Sequence, residues 1–410
     1  MQFFIFISAG IGLFLFFNTN NNFTISNLAQ LDLGVDFSES NPKKPDDLPL
    51  QKPLDNPPET IKAVYATGWT AGSEKSLNRL IELIKKTELN AIVIDIKDYS
   101  GNLSYYTGID LAKKYKAENE IKIAKPNAMI KKLHDAGIYV IARQTVFQDP
   151  ILAMARPDLA LNSSSTGKQW KDNKGVMWID PAAKEAWDYN IAIAKDAFNR
   201  GFDELNFDYI RFATDGNVND IKFPFWDGKT LKRYVIRDFF KYLRQSLPSV
   251  KLSADMFGLV TLNYGDVGIG QNIDDAYHYF DVIAPMVYPS HYQKGFNGLA
   301  NPADHPYDVV YKSMAEANLR LNKYIAAVDN STSTEKYLVK KPQLRPWLQD
   351  FDLGATYDAA KVRAQINATY AAATGTSMGL PAQAGWMLWD PTNNYTPAAL
   401  ESDLQLITNN

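Results

Sequence analysis

The 410-residue sequence contains no cysteine and only four histidines, His134, His278, His291 and His305. The lack of cysteine excludes disulfides, thiolate zinc sites, cysteine nucleophiles and a lipoprotein-type cysteine anchor. The histidines show no metal-ligand spacing, and no His-x-x-x-His pair is present. A metal-dependent deacetylase is therefore the weakest enzyme class considered, and we expect neither a metal nor an organic cofactor.

The chain also lacks a strong excess of either charge, since its formal net charge is −3. Nothing in this balance indicates a nucleic-acid partner. What is abundant is aromatic: phenylalanine, tryptophan and tyrosine make up 12% of the residues. Such a surplus either packs the core or lines a sugar-binding cleft, because the apolar faces of sugar rings stack on aromatic planes.

The N-terminus carries an apolar run over residues 3–17, broken only by Ser8 and two glycines, which is typical of a signal-peptide core and short for a spanning helix. We expect residues 1–22 to be a signal peptide or a membrane anchor. Residues 27–29 (Asn-Leu-Ala) are a weak cleavage site, so both alternatives stay open. A buried helix is disfavoured, because the polar stretch 18–22 follows directly.

Proline, aspartate, lysine and serine dominate residues 36–59, so residues 23–60 are predicted to form a disordered linker. The folded domain then covers residues 61–410. Together with the apolar N-terminus, this organisation predicts an exported protein, either anchored to the membrane at the cell envelope or secreted.

Strand-like and helix-like segments alternate along the folded domain. This alternation predicts a (β/α)8 TIM barrel with enlarged loops. An open doubly wound sheet is the alternative, but the Gly-rich phosphate fingerprint that it often carries is missing after the first strand, at Gly68 to Gly72. The eight predicted strands cover residues 63–69, 91–98, 138–147, 201–212, 251–257, 280–288, 337–347 and 385–389.

Predicted strand four has polar side chains on one face and apolar side chains on the other. Glu204, Asn206 and Asp208 share the polar face, because successive side chains of a strand alternate. Burying carboxylates is costly unless they are paired, hydrogen-bonded or used for chemistry. We therefore expect this face to line the barrel interior and to deliver Asp208 to an active site, while the deeper Glu204 fills an interior layer.

Asp208 and Asp255 are the predicted catalytic pair. They lie near the ends of strands four and five, and neighbouring strands are about 4.8 Å apart. Two carboxylates at that spacing serve glycoside hydrolysis, and a shared buried site separates their pKa values so that one stays protonated. The alternatives are an Asp208–Arg211 ion pair and a hydrogen-bonded loop cap at Asp255.

Other polar and aromatic residues near the strand ends are predicted to bind substrate. Asp95 either binds substrate or pairs with Lys97. Arg211 either binds a carboxylate of the substrate, holds Asp208 ionised or packs against a helix. Trp389 is either a platform for a sugar ring or part of the core. The predicted substrate-binding set is Trp69, Asp95, Asp98, Gln144, Arg211, Tyr288 and Trp389.

The chain resembles a family of TIM-barrel proteins assigned as glycoside hydrolases, found in bacterial envelopes and long known as a domain of unknown function. The segment Asp-Tyr-Ile-Arg-Phe at residues 208–212 is the most specific part of the resemblance, although Ala213 follows where proline is expected. The resemblance implies the barrel fold and activity on carbohydrate. The stretches that carry it are residues 62–69, 94–98, 141–143, 207–212, 253–258 and 284–289.

Two functions follow from these observations. The first is a glycoside hydrolase that cleaves a cell-surface or extracellular polysaccharide with Asp208 and Asp255. The second is a non-catalytic, envelope-tethered carbohydrate-binding barrel. A glycan is the expected ligand in both cases, and the membrane is a partner only through the N-terminal segment.

Overall fold

A computed structural model of the chain describes residues 46–330, 339, 341–374 and 385–402. It contains a closed barrel of eight parallel strands, as the alternation of segments predicts. The expected signal peptide or anchor, residues 1–22, lies outside the described residues. The barrel strands are β1 (Ile61–Ala66), β2 (Ala91–Lys97), β3 (Tyr139–Thr145), β4 (Glu204–Asp208), β5 (Leu252–Phe257), β6 (Val282–Met286), β7 in two pieces (Gln343–Leu344 and Trp347–Gln349) and β8 (Gly385–Trp389).

Hydrogen bonds between β1 and β8 close the barrel. Ile61 is in register with Gly385, and β7 bridges β6 and β8. Gly385 has φ +87°, and a Cβ there would lie 1.8 Å from the Ile61 carbonyl oxygen, so only glycine permits this closure. The direct β1–β8 pairing rules out the open doubly wound alternative.

Helices on the outside of the barrel connect the strands. Their apolar stripes pack on the sheet: Leu77, Leu80, Ile81 and Ile84 are the buried residues of the first one. No helix in the described ranges is both long and apolar enough to cross a membrane. The outer helices are α1 (Glu74–Lys86), α2 (Pro126–Asp135), α3 (Lys184–Arg200), α4 (Lys232–Ser246), α5 (Ile273–Ala276), α6 (Pro306–Asp329) and α7 (Ala359–Thr374).

Several strands are shorter than predicted, each for a local reason. β1 ends at Ala66, and Trp69 belongs to a short helix, Gly68–Gly72. β4 ends at Asp208 because Tyr209 has φ +53°, a left-handed conformation that cannot continue a strand. β7 is split at Pro346, which has no N–H for the sheet.

The described part of the predicted linker, residues 46–60, contacts the barrel at several points. The Asp47 carboxylate accepts hydrogen bonds from the Asn127 and Ala128 amides at the start of α2, and the Leu54 amide donates to Asp203 at 2.6 Å. Asp203 immediately precedes β4, so the second bond holds the segment at the end of the barrel where the strands begin.

The lower interior of the barrel holds a fully buried ion pair. The Arg345 guanidinium, between the two pieces of β7, donates to both carboxylate oxygens of Glu204, and neither side chain has exposed surface. Burial opposes ionisation of Glu204, but the charges of Arg345 and Lys251 and the hydrogen bonds to the carboxylate together outweigh it and hold the pKa of Glu204 below its usual value. Glu204 therefore fills an interior layer, as its depth in the strand predicts.

Glu204→Gln is expected to lower the free energy of unfolding by about 3–5 kcal/mol, because it leaves Arg345 buried without a counter-charge. Urea denaturation measures this loss. Glu82→Gln is the matched control, since its ion pair with Lys86 is exposed and contributes little. A loss for Glu204→Gln as small as that of the control would contradict a structural role for the pair.

Candidate active site

The guanidinium of Arg143 lies at the centre of an acidic cluster in the barrel. Its Nη1 donates to Asp95 Oδ1 at 2.5 Å, its Nη2 donates to Asp208 Oδ2, and its Nε lies 3.5 Å from Asp255 Oδ2. All four side chains are buried. Burial opposes the charge on Arg143, but the surrounding carboxylates raise the pKa of Arg143 well above its usual value.

Parallel pairing of four consecutive strands assembles this cluster. Asp95 of β2 is in register with Arg143 of β3, and Thr145 of β3 is in register with Asp208 of β4. The structure thus brings together Asp208 and Asp255, the two predicted catalytic residues, and adds Arg143 between them. In the sequence, Arg143 is a lone charged residue at an inward position of an apolar strand. The prediction did not include it among the site residues.

Asp255 differs from its neighbours in burial and in its donors. Its Oδ1 accepts hydrogen bonds from Asn206 Nδ2 at 2.9 Å and from Trp347 Nε1 at 2.7 Å. Burial and then the charge of Asp208 raise the pKa of Asp255 to about 7, and Arg143 and the two donors offset this only partly. Near neutral pH, this carboxyl is therefore protonated in a large fraction of the molecules.

Asp208 lies in a different environment. It accepts a charge-assisted hydrogen bond from Arg143 and another from the Tyr209 amide at 2.6 Å. Both donors stabilise the carboxylate form. Because Asp208 and Asp255 contact the same guanidinium, their carboxyl groups are closer than about 9 Å, within the range of glycosidase acid pairs.

Aromatic side chains surround the cluster. Tyr65 and Trp389 stack with ring centroids 3.9 Å apart, Trp389 also lies over Arg143 at 5.0 Å, and the Tyr65 hydroxyl donates to Asp95 at 2.5 Å. Burial, followed by the charges of Asp255 and Asp208, raises the pKa of Tyr288 well above its usual value. Trp389 is half-buried, and Trp347 also packs against it, with ring centroids 5.5 Å apart and nearly perpendicular planes.

Two predicted substrate-binding residues lie around this cluster without contacting it in the described part of the chain. Trp69 is 58% exposed on the short helix after β1. Asp98 forms an ion pair with Lys122 and accepts from Ser100. The charge of Asp98 nevertheless affects the cluster. Burial raises the pKa of Asp95, the charge of Arg143 opposes this increase, and the charge of Asp98 adds to it.

The structure places the side chains of Gln144 and Lys97 differently from the prediction. A bulge between Asp95 and Lys97 shifts the register, so Lys97 pairs with Gln144 and points away from the interior. The Lys97 ammonium bonds Asp149 at 2.7 Å instead of Asp95, and Gln144 Nε2 donates to Asn190 of α3. Gln144 therefore lies between the sheet and a helix and does not face a substrate cleft.

Arg211 does not pair with Asp208, contrary to one of the alternatives considered. Its guanidinium lies between the rings of Trp178 and Phe257, at 4.8 and 4.7 Å, and it also contacts the ring of Tyr209. Asp208 is instead bound by Arg143 from the neighbouring strand.

A closed (β/α)8 barrel with charged residues clustered towards the carboxyl ends of its strands is the architecture of TIM-barrel enzymes. The family assignment agrees with this class. Residues 63–395 match the family described as "Putative glycosyl hydrolase domain", and the chain belongs to that family. It is thus a member of a glycosyl hydrolase family, and its substrate is not identified by this assignment.

Solved structures similar to the chain have low structural overlap. A hypothetical protein from Ruminiclostridium thermocellum ATCC 27405 is 38% identical, with TM-score 0.43 over 50% of this chain and 98% of that one. The α-galactosidase TtGalA from Thermus thermophilus is 12% identical, with TM-score 0.49 over 86% and 61%. The Flavobacterium johnsoniae chitobiase is 11% identical, with TM-score 0.48 over 83% and 46%. The chain thus spans less than two thirds of both glycosidases, and the comparison with curated proteins finds no match.

Arg143→Met is expected to destabilise the protein by about 3–5 kcal/mol at neutral to alkaline pH, because buried carboxylates lose their counter-charge. The repulsion between these carboxylates makes the folded variant bind more protons than its unfolded chain does. The loss in its free energy of unfolding, relative to the wild type, therefore becomes smaller as the pH falls. Urea denaturation at about pH 8 and pH 5 measures both effects. Lys131→Met, which removes an exposed ion pair with Asp135, serves as the control. A deficit independent of pH would show that Arg143 does not act through these acids.

Proposed function

We propose that this protein hydrolyses a glycosidic bond of a cell-surface or extracellular polysaccharide by a two-carboxylate mechanism. The observation that carries the proposal is the pairing of two acids on the Arg143 guanidinium with opposite preferences for the proton. Asp208 receives two donors that favour the carboxylate, whereas burial keeps a proton on Asp255.

The position of the proton on Asp255 follows from its contacts. Oδ1 already accepts two hydrogen bonds, so the proton resides on Oδ2. Arg143 Nε lies 3.5 Å from Oδ2 and has no hydrogen-bond partner within the described residues. Oδ2 therefore accepts no hydrogen bond from this donor.

Each acid then has a separate step. Asp255 donates its proton to the glycosidic oxygen as the bond from that oxygen to the anomeric carbon breaks. Asp208 either attacks the anomeric carbon and forms an ester that water later hydrolyses, or removes a proton from the attacking water. In both cases one water is consumed, and the leaving sugar departs with a new hydroxyl group.

The carbohydrate-binding barrel without catalysis is the second candidate. Asp255 is 1% exposed and Asp95 is 2% exposed, and an acid that cannot reach the glycosidic oxygen cannot protonate it. The exposed ring of Trp69 and the half-buried ring of Trp389 would then bind a glycan that stays intact. For either function we propose an exported protein, based on the apolar run at residues 3–17.

Asp208→Asn is expected to reduce hydrolysis at least a hundredfold, because it removes the charge that reacts or activates water. A glycan-library screen with the full chain measures the release of reducing ends. Asp188→Asn provides the control, since this acid on α3 bonds Tyr242 outside the barrel. The protein should remain folded, because Arg143 keeps Asp95 as a partner. Wild-type activity in Asp208→Asn would contradict the mechanism, and glycan binding without hydrolysis by the wild type would favour the second candidate.

The rate of hydrolysis is expected to fall above a pH of about 7, where Asp255 loses its proton. Well above that pKa, kcat/KM should decrease about tenfold per pH unit. In Asp255→Asn this alkaline decline should disappear along with most of the activity. Aryl glycosides with acidic leaving groups, which need little protonation, should be affected less. An alkaline decline that persists in the residual activity of Asp255→Asn would assign the acid to another residue.

A further inference from the structure

The guanidinium of Arg211 is buried in an aromatic enclosure at the mouth of the barrel. It follows Asp208 in the loop after β4, and Phe257 at the end of β5 contacts it from the neighbouring strand. Only 2% of its surface is exposed. The site adjoins the acid pair along the chain, because Arg211 lies three residues after Asp208 and Phe257 lies two residues after Asp255.

This cation has no anionic contact among the described residues. Its Nη1 donates to the Phe212 carbonyl oxygen at 3.0 Å and to the Thr214 hydroxyl at 3.1 Å, and these are its protein hydrogen bonds in the described ranges. Burial lowers the pKa of Arg211, and Tyr209, Asp215 and Asp208 oppose this decrease from a distance. An arginine remains charged under these conditions, so a buried positive charge lacks a direct partner.

The three rings determine how a ligand can approach this charge. Trp178, Tyr209 and Phe257 lie against the guanidinium and stabilise the cation through their faces. A ligand must therefore contact an edge. Nη1 is already used, whereas Nε and Nη2 form the parallel pair of donors that binds both oxygens of one carboxylate.

We propose that Arg211 binds the carboxylate of an acidic sugar unit, of the uronic acid class, next to the bond that is cleaved. This inference rests on the proposed function, since it specifies the substrate class of the same site. The half-buried rings of Tyr209 and Phe257 supply apolar surface for the sugar ring, and the guanidinium edge distinguishes a carboxylate from the hydroxymethyl group of a neutral sugar.

The test compares polyuronides, such as polygalacturonate and polyglucuronate, with their carboxyl-reduced forms. The wild type should hydrolyse an acidic polymer faster than its reduced form. Arg211→Met should lower kcat/KM on the acidic polymer about 10- to 100-fold, as expected for lost hydrogen bonds to a charged group. Its rate on the reduced polymer should change little. Equal losses on both polymers would overturn the proposal, because a structural role affects both alike.

Two further variants sharpen the comparison. Arg211→Lys keeps the charge but loses the paired donors, so its preference for the acidic polymer should lie between those of the wild type and Arg211→Met. Arg237→Met is the matched control, since Arg237 lies over the Tyr234 ring on α4 away from the acid pair. A preference changed equally by Arg237→Met would also count against the assignment.

A binding measurement separates this proposal from the proposed function. Calorimetry with sodium glucuronate and with glucose should show glucuronate binding to the wild type that Arg211→Met loses. If that binding is present but no glycan is hydrolysed, the glycosidase proposal fails and the Arg211 site stands. If hydrolysis depends on Asp208 but neutral glycans are preferred and Arg211→Met has no effect, the acidic-sugar assignment is wrong and the glycosidase proposal stands.

Discussion

The contact between one buried guanidinium and three carboxyl groups is the interaction on which this site depends. Asp95, Asp208 and Asp255 come from three strands that surround Arg143, and their charges would repel one another in a closed barrel. Arg143 offsets that repulsion and fixes where the side chains point. Deeper in the barrel, Arg345 offsets the charge of Glu204 in the same way. The Arg143 cluster and the Glu204–Arg345 pair thus allow a largely apolar barrel to contain acidic side chains on several of its strands.

The chemistry follows from an asymmetry in this arrangement. Asp208 receives a charged donor and a backbone amide, whereas Asp255 receives two neutral donors and has a long contact to Arg143. The proposed mechanism uses this difference, because glycoside hydrolysis needs one acid that carries a proton and one that does not. Arg211, nearby in the next loop, has no such anionic contact in the described residues and so fits a ligand better than a structural pair.

Much of the fold could be predicted from local sequence patterns. The alternation of strands and helices is local, and the barrel and the proximity of Asp208 and Asp255 follow from it. The ion pairs were not predictable in this way, because Arg143 and Arg345 find their partners across strands that are distant in the sequence. Lys97 was assigned to the wrong face because a bulge reverses the alternation after Asp95, and no residue type in that segment indicates it.

The central claim is that Asp255 keeps a proton near neutral pH while it lies beside Asp208 on the Arg143 guanidinium. Carbon-13 NMR of aspartate carboxyl groups, followed against pH in the full chain, tests it most directly. The account predicts one carboxyl that titrates near pH 7 and is missing from the spectrum of Asp255→Asn. In Asp208→Asn the same signal should titrate at lower pH, because a neighbouring negative charge is removed. Titration of the Asp255 carboxyl at the ordinary aspartate value, about 4, would contradict the account.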